Sequence, residues 1–117
     1  MFEQVFKTLE ERLNGFRAAV VVSSDGIEIE AKIKEELSHE VLSAELNSIL
    51  QHLERLNQDV SLGSYEEVII KTNKENVCLV KVSSEAFILL VTDKTETTGK
   101  AVYEVQRLIP EFSKILS

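Results

Sequence analysis

The segment Thr97-Thr98-Gly99-Lys100 has residue types that suit phosphate chemistry, because a Gly-Lys pair before Ser or Thr is typical of a phosphate-binding loop. The match fails at two positions. The first glycine of such a loop would fall five residues before Gly99, where Lys94 stands, and Ala101 follows Lys100 in place of Ser or Thr. The segment is better interpreted as the start of a helix, and no nucleotide cofactor is expected.

The histidines and the cysteine do not form a metal or nucleophile motif. His39 and His52 lie thirteen residues apart on one predicted helix and cannot bind a single ion, and one cysteine gives no zinc-binding spacing. Cys78 lies between Val77 and Leu79, which favours a buried, unreactive thiol, and pairing with a histidine would require a tertiary contact. The carboxylates are scattered along polar helix faces. We therefore expect no catalytic residues, no metal and no cofactor, in a protein that is not an enzyme.

The composition indicates one folded domain and restricts its partners. The 117 residues are 44% hydrophobic and 28% charged, which is typical of a single globular domain over residues 1–117. The chain has 13 Lys and Arg against 20 Asp and Glu, and its net charge of −7 argues against nucleic acid, because binding phosphates needs clustered basic residues. Neither a signal segment nor a membrane-spanning run is visible, and one cysteine fits a reducing compartment. A cytoplasmic protein without membrane insertion is expected.

The first predicted elements are a helix and a β-hairpin. Apolar residues recur at helical spacing over residues 2–13, and Asn14-Gly15 is expected to end this helix with a left-handed cap. Residues 17–23 are typical of a buried strand. Residues 27–31 alternate apolar and acidic side chains, as an edge strand does. The Asp25-Gly26 pair between the two strands favours a tight hairpin turn.

A long helix and three strands are predicted next. Ser38 can cap a helix that runs to about Gln58 and carries one apolar stripe. Residues 67–72, 76–82 and 86–92 are typical of strands, and the polar segments between them have the length of hairpin turns. Such short connections predict an antiparallel meander.

The last helix is expected to start near Thr98-Gly99, and Pro110 either kinks it or starts a new turn. The complete order is then α-β-β-α-β-β-β-α, with a five-stranded, mainly antiparallel sheet. Strands such as residues 87–91 are apolar on both faces, so helices must cover both faces of the sheet. The sequence therefore predicts an α/β sandwich of three layers.

Two segments carry more apolar surface than one chain needs. Val41 and Leu50 flank the apolar stripe of the central helix, and Val68, Ile69 and Ile70 follow one another in the first strand of the meander. An exposed apolar strand edge is normally blunted, covered or paired. Either this strand lies inside the sheet or under a loop, or it pairs with another chain. The second alternative predicts a dimer interface that contains these five residues.

Residues 15–31 resemble a known family most strongly. They combine small residues, an apolar strand, a Ser-x-Asp-Gly turn at residues 23–26 and a second strand, as in the Roadblock (dynein light chain) family and especially its bacterial, MglB-like members. The long helix, the meander and the final Gly-Lys-Ala-Val-Tyr helix come in the same order as in that family. The resemblance implies a sandwich with one helix on one sheet face and the two terminal helices on the other.

The resemblance also implies partners. Members of this family typically dimerise by pairing the third strand of each protomer, here residues 67–72, with the central helices, here residues 38–58, side by side. They act as scaffolds or regulators of small Ras-like GTPases, or as dynein-associated light chains. An MglB-like dimer accelerates GTP hydrolysis by its partner without lending an arginine finger. The resemblance therefore implies a homodimer that binds a small Ras-like GTPase, with GTPase activation as one mode of action.

The expected GTPase-binding surface is the side of the central helix that faces away from its apolar stripe. Projection on a helical wheel places six polar residues there: Glu40, Ser43, Asn47, Gln51, Glu54 and Arg55. Three alternatives are open. This surface is only solvated, or the protein is a scaffold subunit without effect on GTP hydrolysis, or it is a sensor domain that binds a small molecule.

Overall fold

The computed structural model describes residues 1–34 and 39–116. The helix cap expected at Ser38 and the side chains of residues 39–41 and 43 lie outside this description. The elements in chain order are α1 (Glu3–Arg12), β1 (Phe16–Ser23), β2 (Glu28–Ile33), α2 (His39–Val60), β3 (Glu67–Lys71), β4 (Glu75–Ser83), β5 (Ala86–Asp93), α3 (Thr98–Arg107) and α4 (Ile109–Leu116).

This order confirms the predicted succession of elements, and the predicted last helix consists of two helices. Leu108 closes α3 by donating its N–H to the Val105 carbonyl at 2.9 Å, and α4 begins at Ile109. Pro110 is the second residue of α4, a position whose N–H has no partner inside a helix. Proline therefore starts a new helix here instead of bending a continuous one.

The five strands form one sheet in the order β2-β1-β5-β4-β3, and every neighbouring pair is antiparallel. The predicted meander of β3, β4 and β5 is confirmed, and β1 joins it by pairing with β5. The edge position predicted for the second strand is also confirmed. Since β3 forms the opposite edge, it does not lie inside the sheet.

Two glycines that flank β1 are needed for different reasons. Gly26 has a φ of +86° and donates its N–H to the Ser23 carbonyl at 2.9 Å, which confirms the predicted tight turn. The left-handed cap predicted at Asn14-Gly15 is wrong, because Leu13 ends α1 in an extended conformation and neither following residue has a positive φ. Gly15 is needed for space, since a Cβ there would collide with the Asp93 carboxylate.

Different helices cover the two faces of the sheet. On the face that we call the terminal-helix face, α1, α3 and α4 enclose a core that includes Phe6, Phe16 and Phe112. On the face that we call the α2 face, α2 packs over a smaller cluster that includes Leu46 and Leu89. Alternate residues of β1, β4 and β5 point to opposite faces, so both layers of helices require apolar side chains from the same strands. The expected three-layer sandwich is present.

Candidate functional site

The β3 edge presents backbone hydrogen-bonding groups to a further strand. The Lys81 N–H donates to the Glu66 carbonyl at 2.8 Å and the Thr72 N–H donates to the Glu75 carbonyl at 2.9 Å, so even-numbered residues here bond towards β4. Because this direction alternates along a strand, the N–H and C=O of Ile69 and its odd-numbered neighbours point away from β4. In the described part of the chain, no strand lies on that side.

An apolar groove lies beside this edge, between α2 and the sheet. Its volume is about 150 Å³, and Glu45 contributes the one charged side chain among its described lining residues. Val68 is half-buried and Ile70 is 36% exposed, so β3 leaves part of the groove wall in solvent. The apolar lining residues are Leu42, Leu46, Ile49, Val68, Ile70, Val77, Leu79 and Leu89.

The apolar stripe of α2 extends past the part of the helix that packs on the sheet. Leu46 is buried and Leu53 is half-buried, whereas Leu56 and Val60, further along, are 47% and 54% exposed. The helix has 22 residues, a length of about 33 Å. The end of α2 therefore carries apolar side chains that no described residue covers. No helix in the described ranges is long and apolar enough to cross a membrane.

The residues predicted for the dimer interface occupy different environments. Val68, Ile69 and Ile70 follow the β3 edge, and Ile69, 40% exposed, points to the side opposite the groove. Leu50 packs against the buried cluster of the α2 face and lines a second cavity instead of the groove. The side chain of Val41 lies outside the described residues. The role of these five residues in a dimer stays a prediction.

The predicted GTPase-binding residues are only partly on an open surface. The side chains of Glu40 and Ser43 lie outside the described residues, and Gln51 and Glu54 are exposed. Arg55 is also exposed, with its Nη2 atom 3.3 Å from His52 Nδ1. Asn47 is half-buried: its amide packs so closely on the β1–β2 turn that a Cβ on Gly26 would collide with it. The helical wheel placed Asn47 outward because it could not include this turn.

The second cavity is larger and has a mixed lining. It has a volume of about 560 Å³ and lies between α2, the β1–β2 turn, the β4–β5 turn and the segment before β3. Tyr65 and Lys81 line it, and sequence reasoning singled out neither residue. Lys81 could have been found from the alternation of β4, in which Val77 and Leu79 precede it on the α2 face. Tyr65 follows the Gly63-Ser64 break and carries no such signal.

The residues considered for chemistry have structural roles. The Thr97 hydroxyl caps α3 by accepting the Lys100 N–H at 3.2 Å, and the Lys100 ammonium lies 3.2 Å from the buried Glu96 carboxylate. Cys78 is buried, as predicted, and its burial, aided by the Glu67 charge, raises the pKa of its thiol. Within residues 1–34 and 39–116, no three His, Cys, Asp or Glu side chains form a group that could hold a metal ion.

The arrangement of α2 and β3 is suited to binding a protein. An edge strand supplies directional backbone hydrogen bonds, and the groove supplies apolar surface next to it. The end of α2 adds further exposed apolar side chains. A single added strand gives a marginal contact, so the apolar surface would have to contribute most of the binding free energy.

Comparison with known proteins gives one family and a consistent set of folds. The family model for the Roadblock/LC7 domain matches residues 1–92. Among curated proteins, no sequence matches this chain.

Three solved structures illustrate the similarity. Myxococcus xanthus MglB has 13% sequence identity and a TM-score of 0.83, over 98% of this chain and 96% of that one. A structure described as MglB with a tetrameric arrangement has 17% identity and a TM-score of 0.81, over 97% and 88%. A Roadblock/LC7 domain from Streptomyces avermitilis has 15% identity and a TM-score of 0.76, over 94% and 92%. At these identities the similarity shows the fold.

Proposed function

We propose that this chain, which belongs to the Roadblock/LC7 domain family, forms a homodimer that binds a small Ras-like GTPase and regulates it. The observation that carries the proposal is the free β3 edge beside an apolar groove. The chain itself performs no chemistry in this proposal, and the reaction belongs to the GTPase. MglB structures among the similar folds support the same assignment.

The dimer would form by antiparallel pairing of two β3 strands. Ile69 is the central residue of Glu67–Lys71 and directs its backbone groups outward, so a two-fold axis near it would pair each strand with its copy. The same axis would bring the exposed Leu56 and Val60 of one α2 towards the other subunit. Backbone bonds would fix the register, and burial of these side chains would stabilise the dimer.

The GTPase would bind on the outward side of the paired α2 helices. Gln51, Glu54 and Arg55 are exposed there, and the two-fold axis would double this surface. Arg55 is the one Lys or Arg of α2, whose sequence also contains Glu45, Glu54 and Asp59. In this proposal Arg55 pairs with an acidic side chain of the partner, and the association rate should fall as salt is added.

The first experiment tests the dimer by placing a proline at a β3 residue whose N–H points away from β4. Ile69→Pro removes an N–H that points away from β4, so it should weaken dimerisation at least about tenfold, about 1.4 kcal/mol, while β3 stays paired with β4. Ile69→Val keeps the donor and is the matched control. Analytical ultracentrifugation over a concentration series measures the dissociation constant. A wild-type protein that stays monomeric at micromolar concentration would contradict the dimer.

The second experiment tests the docking surface with two matched double variants. Gln51→Ala with Arg55→Glu should weaken binding to the GTPase at least about tenfold and leave the dimer intact. Gln4→Ala with Lys7→Glu makes equivalent changes on exposed residues of α1, on the other side of the sheet, and should have no effect. Titration calorimetry with purified Ras-like GTPases, loaded with GDP or a GTP analogue, compares them. Loss of binding only in the α1 variant would mean that the GTPase binds on the terminal-helix face, which would contradict the proposal.

The third experiment separates a GTPase-activating protein from a scaffold. Single-turnover GTP hydrolysis is measured with the GTPase saturated by this protein, so that differences in affinity do not contribute. If the dimer activates without an arginine finger, Arg55→Ala should keep the acceleration at saturation while requiring more protein to reach it. Binding without any change in the hydrolysis rate would support the scaffold alternative.

A further inference from the structure

The 560 Å³ cavity beside α2 is lined by both polar and apolar side chains. Leu50, Val68 and Phe87, all half-buried, give it an apolar wall formed by three different elements. Small-molecule sites commonly combine such a wall with a few polar groups that fix the orientation of the ligand.

Lys81 brings a positive charge to this cavity. It is half-buried on the α2 face of β4, on the same side of the strand as Leu79. Among the described residues, its ammonium group has neither an ion pair nor a hydrogen bond, although Asp25 and Glu54 line the same cavity. Lys81 lies beside the apolar wall of the cavity and has no bonded counter-ion among the described residues, so it is favourably placed to receive an anion from outside the chain.

Tyr65 provides an independent indication. Its hydroxyl oxygen is buried and has no hydrogen-bond partner among the described residues, while its side chain lines the cavity. A buried hydroxyl without a partner costs free energy that a ligand atom can recover. The Tyr65 hydroxyl can donate a hydrogen bond, so it and the Lys81 ammonium would favour the same kind of ligand atom, an acceptor oxygen.

We propose that this cavity binds a small carboxylate that carries an apolar chain. The carboxylate would accept hydrogen bonds from Lys81 and Tyr65, and the chain would pack against Leu50, Val68 and Phe87. One lysine neutralises the single charge of a carboxylate better than the double charge of a phosphate. The cavity shares Val68 with β3 and Glu54 with the α2 surface, but ligand binding there is measured without a GTPase, so the proposal can fail or succeed separately from the proposed GTPase function.

Such a carboxylate could come from a simple acid or from a free amino acid. Asp25 and Glu54 are both exposed, and they give the cavity two negative groups besides Lys81. If these carboxylates receive an ammonium group, leucine should bind more tightly than 4-methylpentanoate, which has the same chain without the amine. If they only face solvent, the two ligands should bind equally or the simple acid should bind better.

The test uses the full-length protein and three probes. Methyl NMR spectra are recorded with leucine, 4-methylpentanoate and 3-methylbutylamine, each up to about 10 mM, where a site with millimolar Kd is occupied. Shifts of the Leu50 and Val68 methyl groups are expected with at least one of the two carboxylates and not with the amine. The absence of shifts with both carboxylates, or equal shifts with the amine, would overturn the proposal.

Matched substitutions assign the two polar contacts. Lys81→Met keeps most of the side-chain volume and should weaken carboxylate binding at least about tenfold, whereas Lys74→Met, in the β3–β4 turn, should not. Tyr65→Phe should weaken binding about threefold or more, whereas Tyr103→Phe, on the surface of α3, should not. Binding unchanged in both cavity variants would overturn the proposal even if the methyl shifts were observed.

Discussion

The two faces of the sheet differ in how completely helices cover them. Four of the five phenylalanines, Phe2, Phe6, Phe16 and Phe112, are buried on the terminal-helix face. The fifth, Phe87, lies half-buried on the α2 face, beside the 560 Å³ cavity. Three helices close one face, and a single helix leaves both a groove and a cavity on the other.

This difference separates what keeps the chain folded from what it offers to other molecules. A close-packed core contributes stability but leaves no space for a partner. The α2 face retains exposed apolar side chains, including Ile70, Leu56 and Val60, on the region proposed to bind a second copy. We expect substitutions on the terminal-helix face to act on folding and those on the α2 face to act on binding.

The largest expected effect comes from truncating matched leucines on the two faces. Leu9→Ala, in fully buried α1 core, should lower the free energy of unfolding by about 2–5 kcal/mol, because it leaves a cavity. Leu56→Ala, on the exposed part of α2, should change it by less than about 0.5 kcal/mol. Urea denaturation at a concentration where the protein is monomeric measures both. Equal losses would mean that the two faces do not differ as described.

The next largest effect is expected when a charge is introduced on each face and dimerisation is measured. Ile70→Asp places a charge in the apolar groove and should weaken dimerisation at least about tenfold, about 1.4 kcal/mol. Tyr103→Asp introduces the same charge on the terminal-helix side, at a residue that is 57% exposed, and should leave the dimer unchanged. Light scattering over a dilution series compares the two variants. If only Tyr103→Asp weakened the dimer, the interface would lie on the terminal-helix face, which would contradict pairing through β3.

A smaller effect is expected from a buried carboxylate on the closed side. Glu96 accepts the Gly15 N–H at 3.3 Å and pairs with Lys100 at 3.2 Å. Glu96→Gln replaces a charged acceptor with a neutral one and should destabilise the fold by about 1 kcal/mol. Glu54→Gln, on the exposed side of α2, should leave the unfolding free energy unchanged. Thermal unfolding compares them, and equal midpoints would show that Glu96 contributes nothing through its charge.

The smallest effect concerns the pH dependence of stability. Burial raises the pKa of the Cys78 thiol in the folded chain, so the unfolded chain loses this proton first as pH rises. The contribution to stability is therefore complete below the ordinary thiol pKa of about 8.5 and is lost above it. Cys78→Val should remove this part of the decline in unfolding free energy. Urea denaturation of the wild type and of Cys78→Val at neutral and alkaline pH measures this difference. If the unfolding free energy of both proteins declined in parallel, burial would not be raising the pKa of the thiol.

Much of the fold could be predicted because its signals are local. The Asp25-Gly26 turn, the strand lengths and the restart of the helix at Pro110 each depend on a few adjacent residues. The cap predicted at Asn14-Gly15 failed because Gly15 is required by Asp93, which is distant in sequence. The alternation of β2 predicted an edge strand but not its orientation. Ile27 is 63% exposed, whereas Glu30 is half-buried and accepts the Phe2 N–H at 2.9 Å.

The candidate site could be predicted in part for the same reason. Surplus apolar residues in α2 and β3 are visible in the sequence, and β3 is indeed an edge strand. The cavity was missed because Tyr65 comes close to Lys81 only through the pairing of its neighbour Glu66 with Lys81, which the sequence does not reveal. Periodicity also placed Asn47 outward, whereas contact with the Gly26 turn partly buries it.

The pairing of β1 with β5 has a consequence for how the chain reaches this structure. The β1–β2 hairpin and the β3-β4-β5 meander join neighbouring segments and can each form early. The seam between them pairs Val20 with Leu89, across most of the chain, and must close a long loop that contains all of α2. Because such non-local pairing must first close a long loop, we expect it to be the slow step of folding. The two halves of the sheet should therefore associate late, and until they do the seam strands β1 and β5 remain open to other nascent chains.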